Sequence, residues 1–242
     1  MGVAPARIEA VVFDLLYTLT HPGTYAGGTG RIGWLAGILG LEEATLRARW
    51  NQFEPALESG HVMRSTGGLG PELDWVTNTA ADLGLTVSRD DLARIEAGWD
   101  QTRKAALMNP PRDTLRTLTA LRQRTIKLGV LSNTHALELR SWHESPLAAL
   151  CDVASFSYEI GVCKPSAASY AHVLGSLGVP AASAAYVGDG SSNELAGAKS
   201  AGFGLVILAE EAAARSAPDD LPRLRAEADT AVTSLLQIID LV

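Results

Sequence analysis

Ala184-Ala185-Tyr186-Val187-Gly188-Asp189-Gly190-Ser191-Ser192-Asn193-Glu194-Leu195-Ala196-Gly197-Ala198-Lys199 holds the organisation of this 242-residue chain in miniature. An apolar run stops at an acid, a short loop of glycine and serine follows, and small residues at helical spacing come next. A strand that hands a polar residue to a loop, which then opens a helix, is the repeating unit of a parallel sheet.

The same rhythm continues on both sides. Upstream, a helix is expected over 166–177, a strand over 152–156, a helix near 136–149 and a strand over Ile126–Leu131. Leu115, Leu118 and Leu121 form a further helix stripe, and residues 9–13 make a first buried strand that ends at Asp14. Downstream come a strand at 204–208 and a last short strand and helix within 229–241, with 209–227 between them read as a surface excursion. Strands alternating with helices give an α/β fold, a doubly wound parallel sheet with helices on both faces.

One stretch breaks the alternation. From Thr20 to Gly33 the chain is rich in glycine, and helical spacing then dominates from Trp34 to Leu107, with Ser88 as an N-cap. Trp34, Trp50, Trp75 and Trp99 fall here and read as packing residues of a small α-helical cap domain. The division expected is a core of residues 1–20 and 109–242, and an inserted cap of 21–108.

Composition narrows the partners. With 47% hydrophobic residues the chain can bury a sizeable core, and 27 acids against 20 Lys plus Arg give a net charge of −7. Without a basic run, neither nucleic acid nor an anionic membrane surface is expected as a partner. A small anionic substrate is still compatible, because one local site can oppose the global sign. No signal peptide or apolar run of membrane-spanning length is read, so a cytoplasmic monomer or homodimer is expected. Cys151 and Cys163 form neither a disulfide framework nor a zinc-ligand pattern, and read as buried small hydrophobes.

Ligands of such sheets bind beyond the C-terminal ends of the strands. Four polar residues fall there: Asp14, Ser132, Lys164 (just before Pro165) and Asp189. Singly, each is explained as a turn or capping residue. Their order around an insertion resembles the haloacid dehalogenase-like (HAD) hydrolase superfamily, and the likeness spans nearly the whole chain. Val187 to Glu194, with two acids five residues apart, followed by Leu195 to Gly202, carries it most specifically.

That resemblance implies a Rossmann-like HAD core and assigns roles. Asp14 is the nucleophile, forming a covalent aspartyl intermediate that water hydrolyses. Asp14, Asp189, the carbonyl of Leu16, and Glu194 directly or through water are expected to hold Mg²⁺, which demands hard oxygen ligands. Ser132 and Lys164 are expected on the phosphoryl group, with Tyr17, Thr18 and Asn133 as substrate contacts.

One position departs from the phosphatase pattern. The second Asp, a general acid and base, is Leu16 here, and the following Gly is Tyr17. General acid–base help is worth about 10²–10⁴-fold. Three readings follow. A Mg²⁺-dependent phosphohydrolase would use a leaving group that needs no proton, or a proton from Tyr17, His21 or His61. Carbon–halogen hydrolysis needs no proton for its halide, but that branch lacks an acid at the place of Asp189. A degenerate HAD-fold binding or scaffold protein is the third. Phosphonate cleavage would need a cap lysine, and the insertion offers only Lys104.

Weaker signals complete the reading. Gly28-Thr29-Gly30-Arg31-Ile32-Gly33 spells a dinucleotide fingerprint but follows no strand directly, so it reads as a hinge. Arg31, Arg47, Arg49 and Arg64 in the insertion, His135, and the loop Gly67–Pro71 are possible substrate contacts that the sequence does not rank.

Overall fold

The computed structural model describes residues 7–21, 25, 30–58, 71–134 and 136–242. His61, Arg64, the loop 67–70, His135 and the first glycine of the fingerprint-like run lie outside them. Six strands run β1 (Ala10–Phe13), β2 (Lys127–Ser132), β3 (Val153–Phe156), β4 (Ala184–Gly188), β5 (Leu205–Ala209) and β6 (Thr230–Val232). They form one sheet in the order β3-β2-β1-β4-β5-β6, and every pairing is parallel. Helices α1 (Arg31–Leu39), α2 (Glu43–Glu58), α3 (Pro71–Asp82) and α4 (Arg89–Met108) lie between β1 and β2. Then follow α5 (Arg112–Gln123), α6 (Pro146–Leu150), α7 (Ser157–Ile160), α8 (Ala167–Leu177), α9 (Glu194–Ser200), α10 (Glu210–Ser216) and α11 (Leu221–Glu227).

Alternation along β1 explains the two-sided core. Val11 and Phe13 enter one hydrophobic cluster, with Leu118 and Leu121 of α5 and Ile238 near the C-terminus. Ala10 and Val12 point the other way, to Tyr170, Val173 and Leu177 of α8 and Leu195 and Ala198 of α9. Every β1 side chain is buried, so the strand reads as a continuous apolar run.

The helices between β1 and β2 form a third cluster around Leu35, Leu46, Trp50, Trp75, Ile95 and Trp99. Trp50 and Trp75 meet edge to face, with ring centroids 4.9 Å apart. Gly98 is required by the close approach of Trp34, whose ring would lie 2.3 Å from an added Cβ. Ser88 caps α4 by accepting from the Asp91 amide at 3.0 Å.

Two expectations change. The single helix near 136–149 is instead two 3₁₀ turns (Ala136–Leu139 and Trp142–Glu144) followed by α6. Pro146 lacks an N–H, so the helix restarts there, with Ser145 as its cap. The stretch 209–227 folds into α10 and α11, and its inner side reaches the functional site. Cys151 and Cys163 are free, and burial pushes the Cys151 thiol up to about 12. No helix among the described residues is long and apolar enough to cross a membrane.

Candidate active site

The sheet order reverses direction between β1 and β4, and the site lies at that switch point. Phe13 is in register with Val130 of β2 and Val187 of β4, and the Asp14 amide continues the ladder to the Val187 carbonyl at 2.8 Å. Asp14 therefore leaves β1 beside the ends of β2, where Ser132 sits, and β4, which Asp189 follows.

Lys164 organises the charges. Its ammonium donates to Asp14 Oδ1 at 2.7 Å, Glu194 Oε2 at 2.5 Å and the Tyr186 hydroxyl at 3.2 Å, so all three of its donors are engaged. Asn133 holds the lysine's backbone from both ends of its amide. The Lys164 amide donates to Asn133 Oδ1 at 2.8 Å, and Asn133 Nδ2 donates to the Lys164 carbonyl at 3.0 Å. The structure thus shows Asn133 positioning Lys164, and Lys164 acting as counter-ion to two carboxylates.

Glu194 is held by more than the lysine. The Tyr186 hydroxyl donates to Oε2 at 2.7 Å, and the Gly190 amide donates to Oε1 at 3.0 Å. Tyr170 donates to the Glu194 carbonyl at 2.8 Å. Gly188 must be glycine, because an added Cβ would stand 2.0 Å from Glu194 Oε1. Asp189 accepts from the Ser191 amide at 3.0 Å and from the Ser216 hydroxyl of α10 at 3.3 Å. Tyr170, Tyr186 and Ser216 were not legible as site residues, since each reads as part of an apolar strand or a helix face.

Two polar atoms of the site are left over. Asp14 Oδ2 and Ser132 Oγ are buried without a hydrogen-bond partner among the described residues, and the buried Thr18 hydroxyl, outside ideal hydrogen-bond geometry, acts only on the Asp14 carboxyl. Buried polar groups without partners are rare, so a free carboxylate oxygen of Asp14 with the hydroxyls of Thr18 and Ser132 beside it marks where a ligand would be received. Tyr17 lies beside them with φ 71°, a left-handed conformation unusual for a bulky residue, and lines the cleft above Asp189. Leu16 packs its side chain against the first core cluster. Lys104 lies on the surface, 3.4 Å from Glu144, and takes no part in the site.

The charges do not balance within the protein. Asp14, Asp189 and Glu194 bring carboxylate oxygens within 4.8 Å of one another, and all are buried. Relative exposures are 3%, 2% and 0%, against 1% for Lys164. Fully ionised, three carboxylates and one ammonium leave −2. Each like-charge contact at that range costs about 3 kcal/mol at an effective dielectric near 20. Burial, with the charges of Asp14 and Asp189, pushes Glu194 up to about 8 against the pull of Lys164. Burial and Asp189 likewise raise Asp14, again opposed by Lys164. Burial also opposes the Lys164 charge, but Asp14 and Glu194 outweigh it and hold the ammonium ionised.

A family model for haloacid dehalogenase-like hydrolases matches residues 8–202. The chain belongs to the haloacid dehalogenase-like hydrolase family. As a member it is a hydrolase by family, and its Rossmann-like sheet is that of solved relatives. An L-2-haloacid dehalogenase is 20% identical with a TM-score of 0.69, covering 98% of this chain and 99% of that one. The L-2-haloacid dehalogenase from Xanthobacter autotrophicus is 22% identical with a TM-score of 0.60, covering 97% and 98%. A HAD phosphatase from Thermococcus onnurineus is 19% identical with a TM-score of 0.57, covering 97% of each chain. At these identities the likeness establishes the HAD fold and leaves the reaction open. No curated protein sequence matches the chain.

Proposed function

We propose that this HAD hydrolase is a Mg²⁺-dependent phosphohydrolase working through an aspartyl phosphate on Asp14. The observation that carries this reading is the uncompensated charge of Asp14, Asp189 and Glu194 around one lysine. A divalent cation cancels −2, and the donors offered are hard oxygens of the kind Mg²⁺ requires. Asp14 and Asp189 would hold the ion, with the Leu16 carbonyl as a third ligand and Glu194 directly or through water. When bound, Mg²⁺ supplies a fixed positive charge that offsets the charge developing on phosphoryl oxygens.

The chain's own residues do the rest. The Asp14 carboxylate attacks phosphorus, the bond to the leaving oxygen breaks, and the leaving group departs with the electron pair. Ser132, whose hydroxyl lacks a protein partner, and Thr18 beside Asp14 donate to the phosphoryl oxygens. Lys164 keeps Asp14 ionised. Water then attacks the same phosphorus, the bond to Asp14 breaks, and inorganic phosphate leaves. Leu16 transfers no proton, so the substrates expected are acyl or aryl phosphates, whose leaving groups are stable as anions. The helices α1–α4 act as a cap that excludes water from the site.

Carbon–halogen hydrolysis is the second reading, favoured by Leu16, since a halide leaves without a proton, and by the direct Lys164–Asp14 pair. Asp189 weighs against it, because it adds a buried negative charge where a carboxylate nucleophile must stay ionised. The two are separated by assaying phosphate release from phenyl phosphate and chloride release from 2-chloropropionate, each with and without Mg²⁺. Phosphate release that requires Mg²⁺ and vanishes in Asp14→Asn is the expected result. Chloride release without Mg²⁺ would replace the phosphohydrolase reading.

A further inference from the structure

A cleft of about 790 Å³ lies above Asp189, between α1–α2 of the insertion and the segment α10–α11. Arg31 and Arg47 line one side, and Arg215 and Arg223 the other. The chain as a whole carries −7, yet among the described residues the carboxylates lining this wall are Asp189 and Asp220. The cleft is therefore locally cationic, and Asp189 joins it to the reaction centre.

The arginines differ in how firmly they are held. Arg31 lies 4.0 Å above the Trp50 ring and 3.2 Å from buried Glu72, and belongs to the wall. Arg215 pairs with Glu211 at 2.7 Å, both solvent-exposed, and Arg223 pairs with half-buried Glu227 at 2.7 Å, each one helical turn away. Arg223 also meets Asp220 at 3.0 Å. Exposed pairs of this spacing are worth only about 0.3–0.5 kcal/mol. An anion inside the cleft, where water is partly excluded, offers a guanidinium fork a stronger partner. Glu211 and Glu227 are not on the cleft wall, whereas Asp220 is, so Arg215 faces the cleft without a carboxylate partner there and Arg223 with one.

From this placement we infer that the substrate carries a second anionic group, remote from the transferred phosphoryl group, which Arg215 and Arg223 bind. The inference rests on the phosphohydrolase reading and gives its substrate class: a phosphorylated small molecule with a distal carboxylate or phosphate. A neutral distal end would leave Arg215 and Arg223 with only Glu211, Glu227 and Asp220 as partners.

The test uses three aryl phosphonates that present no hydrolysable phosphate ester, titrated calorimetrically into the full chain with Mg²⁺. One has a para carboxylate, one the methyl ester of that carboxylate, and one a second phosphonate. Both probes with a distal anion should bind at least about tenfold more tightly than the ester, although the protein's net charge opposes them. A further gain for the diphosphonate points to a distal phosphate, and equal affinity of the two anionic probes to a carboxylate. In the Arg215→Ala/Arg223→Ala double variant the ratio to the ester should fall below about threefold, while the double Lys variant, which keeps the charge and loses the fork, should lie between that and the wild-type ratio. Because the ratio is read within one protein, a loss of folded fraction does not imitate the effect. An ester that binds as tightly as the acids, a ratio unchanged in the Ala variant, or no binding of any probe overturns the inference. Mg²⁺-dependent turnover of phenyl phosphate tests the underlying reading separately. Turnover without a charge preference removes the cleft assignment alone, and a preference without turnover removes the phosphohydrolase alone.

Discussion

Lys164 is buried with its three donors directed at Asp14, Glu194 and Tyr186. Replacing it with Met leaves three buried carboxylates with no counter-charge, and breaking a buried pair typically costs about 3–5 kcal/mol. Chemical denaturation should show that loss in metal-free Lys164→Met, and saturating Mg²⁺ should restore part of it. Tyr186→Phe removes one donor from Glu194 and should cost about 1–3 kcal/mol in the same assay. Leu16→Asp puts a carboxyl group two residues after Asp14, where the phosphatase pattern has its general acid, so turnover of alkyl phosphates should rise by about 10²–10⁴-fold, with far less gain for acyl phosphates. Asp14, Ser132 and Asp189 stand out in the sequence as polar residues that end or follow buried strands, whereas Lys164 and Glu194 are singled out by the order and spacing of the family motifs. Tyr186 could not, since its hydroxyl is reached only by folding Glu194 back onto the strand that carries it.

At the scale of elements, the sequence located all six strands, because a buried parallel strand is a compact apolar run with little else to be. It failed where a proline reset the backbone, as at Pro146, and where exposed charges disguised an inner face, as in α10 and α11. Gly188 illustrates an element built around its site. In Gly188→Ala the new methyl meets the Glu194 carboxylate, displacing it from Lys164, and the variant should lose Mg²⁺ affinity and stability together. Ser88→Ala removes only the α4 cap and should cost about 1 kcal/mol without changing metal affinity. Thermal unfolding with and without Mg²⁺ separates these two behaviours.

For the whole molecule, the site couples stability to pH. Glu194 is raised in the folded chain to about 8 from an ordinary 4.5, so the folded state binds the proton more tightly than the unfolded state. The stabilisation this gives is complete below pH 4.5 and is lost as pH rises through about 8, so the metal-free protein weakens over that range. Mg²⁺ acts in the opposite sense, since it competes with the protons on these carboxylates. The rise in Tm on adding Mg²⁺ should therefore be larger at pH 8.5 than at pH 6. At 100 times the Kd the ion should add about 2.7 kcal/mol. A net charge of −7 averages over two local features, a buried carboxylate cluster proposed to take a cation and an arginine-lined cleft proposed to take an anion. The first was anticipated from motif order. The second depends on two helices meeting the insertion across a gap, which no local pattern encodes.

The account's central claim is that the buried carboxylates take a divalent ion, and calorimetric titration of Mg²⁺ into metal-free protein tests it most directly. The prediction is one ion bound per chain with release of protons near neutral pH, and no detectable binding in Asp189→Ala. A wild-type chain that binds no Mg²⁺, or an Asp189→Ala variant that binds it with unchanged affinity, would contradict it.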